Sequence, residues 1–283
     1  MTLRITSFSN FVEARQVSFS VMSALLKLED VSVLRDGKVI LGPISWSLST
    51  GQRWVIIGPN GAGKTTLLAL VGALIHPSSG SVEILGNRMG SVDVFELRPR
   101  IGMSSSALQD SLPVEERVVD LVLTAAYAIT GRWLEEYDLW DESRAKALLD
   151  IFGVRELSER RFGTLSEGER KRVQIARSLM ADPEILLLDE PAAGLDLGGR
   201  EDILERISRY LDEEGAPASV IVTHHIEEIP RGTTHALLLS AGGIFAAGEI
   251  NSVLTESNLN QLFGVEIALS HDGRRYSAIS KRA

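Results

Sequence analysis

The chain has 283 residues, 44% of them hydrophobic and 24% charged, with no cysteine, and 29 Lys and Arg against 38 Asp and Glu give a net charge of −9. This is a globular composition, and it excludes wholesale disorder, a collagen-like repeat and a coiled-coil rod. The missing thiols rule out disulfides, thiolate metal sites and a cysteine nucleophile, and the acidic balance argues against nucleic acid as a partner.

In chain order, residues 1–24 mix Arg, Asn, Glu and Gln among Phe and Val, and so lack the apolar core of a secretory signal. Met22 stands just before Leu25-Leu26-Lys27-Leu28-Glu29, where ordered patterning starts. Residues 1–24 therefore read as a flexible tail with Met22 as the true start, ahead of one domain over 25–283. From Leu25 to Leu48, apolar and polar residues alternate around Asp36-Gly37, which predicts an antiparallel hairpin. Trp54 to Ile57 is an unbroken apolar run, the mark of a strand buried on both faces.

Gly58-Pro59-Asn60-Gly61-Ala62-Gly63-Lys64-Thr65-Thr66 then fits the phosphate-binding pattern G-x-x-x-x-G-K-[ST] between that strand and an apolar helix. Glycines let backbone N–H groups curl around phosphates, Lys64 reaches the β- and γ-phosphates, and Thr65 offers a hydroxyl to Mg²⁺. The helix starting near Lys64 directs its positive end at the anion. Residues 113–162 carry helix-forming, charge-rich sequence, Val114 to Tyr127 and Leu134 to Phe152, which predicts an inserted helical subdomain.

Leu165-Ser166-Glu167-Gly168-Glu169 follows, with Ser166 and Glu169 spaced as a capping box at a helix start. A helix N-terminus with a hydroxyl and a bare glycine is also a second phosphate-binding device, which suggests a nucleotide held by a partner subunit. The basic triplet Arg170-Lys171-Arg172 reads as a solvated helix face. Ile185-Leu186-Leu187-Leu188-Asp189-Glu190 is a buried strand that delivers two carboxylates at its C-terminal edge. Asp189 is placed to hold the metal and Glu190 to polarise a water. Val220 to Thr223 is another buried strand, ending in His224-His225. Neighbouring histidines on opposite pleat faces disfavour zinc, and a hydrogen bond from His224 to the γ-phosphate fits better. Ala236 to Leu239 is a further strand, and alternation of strands with helices such as 171–180 and 200–211 predicts an α/β fold. The extension over 243–283 carries a turn, a helix near Ser252 to Phe263 capped by Asn251 or Ser252, and a strand pair around Asp272-Gly273. No apolar run reaches the roughly 18 to 20 residues of a membrane-spanning helix, the best being Leu67 to Ile75 and the broken run 118–130, so a cytoplasmic protein is expected.

Together these motifs, in this order, resemble the ATP-binding subunit of an ABC transporter over roughly residues 25 to 250, and more distantly the molybdate and iron uptake ATPases. The resemblance implies a P-loop NTPase, RecA-like α/β core with an antiparallel β-subdomain and an inserted helical subdomain. It makes Gly58 to Thr66 the Walker A loop, Leu165 to Glu169 the signature motif and Ile185 to Glu190 the Walker B strand with catalytic Glu190. Asp196 falls in the D-loop, and His224 is the switch histidine. It further implies a homodimer, or paired ATPase subunits, sandwiching two MgATP, with Ser166 and Gly168 touching the partner's γ-phosphate. A separate transmembrane permease would dock beside Ser104 to Val118 and the helical insert, holding the subunit at the inner face of the cell membrane.

Three positions depart from the family pattern. Arg35 stands where an aromatic residue meets adenine, and its guanidinium either stacks on the base, at roughly 0.5 to 2 kcal/mol, or is a solvated turn residue. Ser106 stands at the expected metal-contacting glutamine, with Gln109 three residues late. The signature reads Ser-Glu-Gly-Glu, placing the carboxylates of Glu167 and Glu169 near a γ-phosphate, which weakens closure unless Arg170 or Lys171 compensates. The rival reading is a non-transport ATPase of the same fold, working in repair, on ribosomes or in cofactor assembly. The coiled-coil arms, cysteine-zinc insertions and tandem duplication of its best-known versions are missing from this sequence.

Overall fold

A computed structural model of the protein describes residues 24–127 and 139–281. The expected tail, Ala24 apart, and the proposed start at Met22 lie outside the described residues, as do residues 134–138 of the expected second insert helix.

β1 (Ala24–Arg35) and β2 (Lys38–Ser49) form the expected hairpin. Both turn residues, Asp36 at φ 51° and Gly37 at φ 74°, adopt the left-handed backbone that a two-residue turn between right-twisted strands requires. β3 (Arg53–Ile57) follows, and the phosphate loop leads into α1 (Lys64–Val71). β4 (Ser79–Ile84) and β5 (Asn87–Arg88) return to the hairpin and complete an antiparallel sheet in the order β2-β1-β4-β5.

A short helix α2 (Val94–Leu97) leads to β6 (Ile101–Ser104) and α3 (Ser106–Asp110). Within the insert come α4 (Val118–Leu123), continued as a 3-10 turn to Tyr127, and α5 (Leu139–Ile151). The first insert helix thus starts at Val118, not Val114. Pro113 to Arg117 is loop, and Arg117 makes an isolated bridge to Arg161. α6 (Glu167–Ser178), β7 (Ile185–Asp189), α7 (Leu197–Asp212) and β8 (Ala218–Thr223) supply the alternation read from the sequence. β9 (His235–Ser240), β10 (Gly243–Glu249), α8 (Ile250–Val253), α9 (Glu256–Phe263), β11 (Ile267–His271) and β12 (Tyr276–Ser280) close the chain. The single helix expected near Ser252 to Phe263 is two, and the second is capped by the Thr255 hydroxyl rather than by Asn251 or Ser252. A serine or threonine cap must precede its own helix, and the chain breaks at Leu254 and Thr255.

The main sheet has the order β10-β9-β3-β8-β7-β6, parallel from β9 to β6. Its alternate residues feed different layers, as the two-residue strand period demands. Trp54, Ile56, Leu187, Val220 and Val222 face the layer shared with α1 and the antiparallel sheet. Leu186, Leu188 and Ile221 face α4 to α7, while Val55 and Ile57 face the C-terminal elements. These side chains are essentially inaccessible, and each removal from water stabilises the fold by about 1.5–3 kcal/mol.

Register sets the function-bearing edge. Ile57 pairs with Thr223, Val222 with Asp189, and Leu188 with Ser104. The residues just past these four strands, Gly58, His224, Glu190 and Ser105, therefore emerge on one rim of the sheet.

Candidate active site

The phosphate loop is a backbone device. A Cβ on Gly58 would stand 2.2 Å from the Leu239 carbonyl oxygen, so only glycine lets the loop leave β3 against β9. Gly63, at φ 99°, is the N-cap of α1, which has no side-chain cap and no acidic residue in its first turn. The first N–H groups of this helix are left to an anion, with the helix dipole behind them. Lys64 folds over the loop, its Nζ donating to the carbonyls of Gly58 at 2.7 Å and Pro59 at 3.0 Å. Burial pushes its pKa down, against the opposing pull of Glu190 and Asp189.

Across the rim, the Thr65 side chain stands beside Asp189, lining the same cavity. Burial and the neighbouring Glu190 push the Asp189 carboxyl above its usual range. Glu190 follows at φ 48°, a left-handed conformation few side chains accept. Its Oε1 lies 2.8 Å from Nδ1 of His224. β8 ends at Thr223, so the two histidines do not alternate across a pleat as the sequence suggests. Their rings lie side by side, centroids 4.0 Å apart.

Beside these groups is a cavity of 260 Å³ lined by Thr65, Asp189 and Glu190 together with Ser104 to Ser106, Gln109 and one face of α6. Ser105 caps α3, receiving the Leu108 N–H, so both Ser106 and Gln109 reach the cavity. The Gln109 amide donates to Glu167 at 3.3 Å. The Thr65 hydroxyl, the Asp189 carboxylate, and the Ser106 and Gln109 side chains are hard oxygen donors. With nucleotide phosphates, such a set suits Mg²⁺, which takes one or two protein carboxylates and otherwise phosphate and water.

At the N-terminus of α6 the capping box is complete. Glu169 accepts from the Ser166 N–H at 2.7 Å and from its hydroxyl at 2.8 Å, and the Ser166 hydroxyl oxygen accepts the Glu169 N–H at 3.4 Å. These bonds hold the Glu169 carboxyl below its usual range. Ser166, Gly168 and Glu169 stand outside the cavity, which α6 enters through Glu167, Lys171 and Gln174. The basic triplet is not a solvated face. Arg170 donates to the Gly163 carbonyl at 2.7 Å, Lys171 to the Glu190 carbonyl at 3.0 Å, and Arg172 pairs with Asp202 at 2.9 Å. Asp196 caps α7, accepting the Gly199 N–H at 2.7 Å, and Arg35 is exposed at the end of the hairpin.

Sequence reading gave Lys171 only as a solvated residue or a counter-charge to the signature, and it missed Gln174. Glu167, Lys171 and Gln174 follow the i, i+4, i+7 spacing of one helix face, a signal that was present. Gln174 is buried, its Oε1 receives the Ser104 hydroxyl at 3.4 Å, and its Nε2 has no hydrogen-bond partner among the described residues.

Comparison with known proteins agrees with this geometry. The ABC transporter family profile matches residues 41–193. The ABC transporter ATP-binding protein YlmA of Bacillus subtilis (strain 168) is 42% identical over 86% of this chain and 92% of its own. The molybdenum import ATP-binding protein ModC of Mesorhizobium japonicum is 35% identical over 75% of this chain and 55% of its own. Among solved structures, the dimeric ATP-binding cassette MJ0796 bound to ADP and Pi superposes with a TM-score of 0.69 at 25% identity, covering 80% of this chain and 98% of that one. CbiO1 of Clostridium perfringens, part of the ABC transporter complex cbiONQ, gives a TM-score of 0.70 at 26% identity, covering 84% and 93%. The chain belongs to the ABC transporter family as an ATP-binding subunit, an ATPase.

Proposed function

We propose that two copies of this chain close on two MgATP, hydrolyse them and reopen, and that this cycle drives a separate transmembrane permease at the inner face of the cell membrane. The observation that carries the reading is the contact of Glu190 with His224 on the rim that also presents the phosphate loop, Thr65 and Asp189. In this reading Gly58 to Gly63 cradle the phosphates with backbone N–H groups. Lys64 leaves the Gly58 and Pro59 carbonyls for the β- and γ-phosphates. Thr65 and Asp189, with Ser106 or Gln109, hold Mg²⁺, which when bound offsets phosphate charge. Glu190 orients the attacking water and accepts its proton, and His224 keeps that carboxylate aimed while meeting the γ-phosphate.

The dimer completes each site with Ser166 and Gly168 of the other copy, and Asp196 beside exposed Leu197 faces the neighbour. The similar cassette MJ0796 is dimeric in solved structures, which supports the pairing of two chains. The helical subdomain, about residues 113–162, and the segment from Ser104 to Val118 form the permease face, where Val114 is 51% exposed. Cargo is chosen by the permease.

The test is steady-state hydrolysis by Glu190→Gln and His224→Ala. Turnover by Glu190→Gln is expected to fall about 10²- to 10⁴-fold, the usual worth of a general base, with ATP still bound. Wild-type turnover in that variant would remove the assignment. Affinity isolation of tagged Glu190→Gln with MgATP from detergent-solubilised membranes should bring down a polytopic membrane protein in stoichiometric amount. A complex confined to ribosomes or repair proteins would favour the non-transport ATPase instead.

A further inference from the structure

Glu190 is held in its left-handed conformation from several sides. Its N–H donates to the Val222 carbonyl at 2.9 Å, and its own carbonyl accepts the Ala193 N–H at 3.2 Å. Its carboxylate meets His224. These partners come from the adjacent strand and from the turn that follows Glu190 itself. One more comes from elsewhere: Nζ of Lys171, on α6, donates to the Glu190 carbonyl at 3.0 Å.

Lys171 lies five residues into the helix whose N-cap is Ser166 and is half-buried; burial pushes its pKa down, against the opposing pull of Glu167, Glu228, Glu190 and Asp189. With its ammonium partly removed from water, the hydrogen bond to the Glu190 carbonyl answers a donor that burial would otherwise leave unsatisfied. A strained backbone at a functional residue persists only where its surroundings over-determine it.

We propose that Lys171 is a positioning residue for Glu190, and that it links the signature end of α6 to the hydrolytic end of the same chain's own site. The second half rests on the dimer reading above. When Ser166 and Gly168 meet the partner's nucleotide, α6 is seated from its N-terminus, and through Lys171 the seated helix fixes the peptide that aims Glu190. Each site is thereby armed by occupancy of the other. The rigid α-helix carries the coupling, and the lysine supplies its contact.

The experiment compares wild type, Lys171→Met, Lys171→Gln and Lys171→Arg for kcat, KM for ATP and cooperativity in ATP, with ATP-driven dimerisation followed by sedimentation. Lys171→Met should lower kcat about 10- to 100-fold, the cost of misplacing a reacting group by a fraction of an ångström to one ångström, with KM within about twofold and cooperativity lost. Lys171→Arg, which keeps the donor, should recover most of kcat. If Lys171→Met does not fold by circular dichroism, Lys171→Gln is read in its place. Wild-type kcat and cooperativity in the variant, or a loss that Arg does not rescue, overturns the proposal. Non-cooperative wild type that stays monomeric with MgATP would remove the dimer reading and the coupling with it, and the kcat and Arg-rescue results would still decide the positioning role.

Discussion

Two helix N-termini in this chain are built for opposite resting states. α1 begins at a left-handed glycine, with no capping side chain and no acid in its first turn. α6 begins at a complete capping box with two glutamates in its first turn. The first leaves its N–H groups and dipole to an anion. The second has already satisfied its Ser166 hydroxyl and its cap within its own turn. One chain thus carries an open phosphate cradle and a self-satisfied one, and in the proposed dimer the second would exchange internal hydrogen bonds for the partner's phosphate before it contributes. In that proposal, closure of the dimer is the step this difference opposes.

The largest effect expected is at the open cradle. Lys64→Ala should cut turnover about 10²- to 10³-fold, the scale for removing one preorganised donor from a transferring group, and should weaken ATP binding measured by calorimetry. Unchanged turnover would erase the distinction between the two helices.

Asp189→Asn should likewise lose about 10²-fold in turnover, while raising the melting temperature of the nucleotide-free protein at neutral pH. The sign follows from its raised pKa. A carboxyl that holds its proton more tightly when folded favours folding at low pH, and that advantage is lost as pH rises through the raised value. An asparagine removes this penalty. A lower melting temperature would show that Asp189 is a structural residue instead.

At the self-satisfied helix, Glu169→Gln keeps a capping side chain but drops a charge. ATP-driven dimerisation should tighten about 2- to 5-fold, the range of an exposed charge interaction. The same variant carries a pH signature. Glu169 is held below its ordinary value of 4.5, so its stabilising contribution is complete above that pH and lost as pH falls through the lower folded value. Melting temperature against pH should show this acid step in wild type and not in Glu169→Gln.

Smallest of all, Arg35→Ala should weaken ATP binding about twofold if its guanidinium stacks on adenine from an exposed position.

Much of this was legible because it is local. The Gly58 to Thr66 loop and the Ile185 to Glu190 strand announce themselves by contiguous residues whose chemistry and burial coincide. The capping box of Ser166 and Glu169 is likewise a four-residue signal. What escaped depends on how elements are phased against one another. The triplet Arg170 to Arg172 looks solvated in one dimension, yet α6 is rotated so that each cation finds a partner and Lys171 reaches Glu190. The two histidines seemed to alternate only because the alternation of the strand was extended past its end at Thr223, which is set by pairing with Ile57. Thr255 was passed over as a cap because the break after Val253 depends on Leu254 packing into the C-terminal core.

The central claim is that ATP brings two of these chains together around two nucleotides. Analytical ultracentrifugation of Glu190→Gln with saturating MgATP tests it most directly, with bound nucleotide counted in the same sample. The account predicts doubling of the mass with one ATP per chain, reversed when ATP is removed. A species that binds ATP at full stoichiometry and remains monomeric would contradict it.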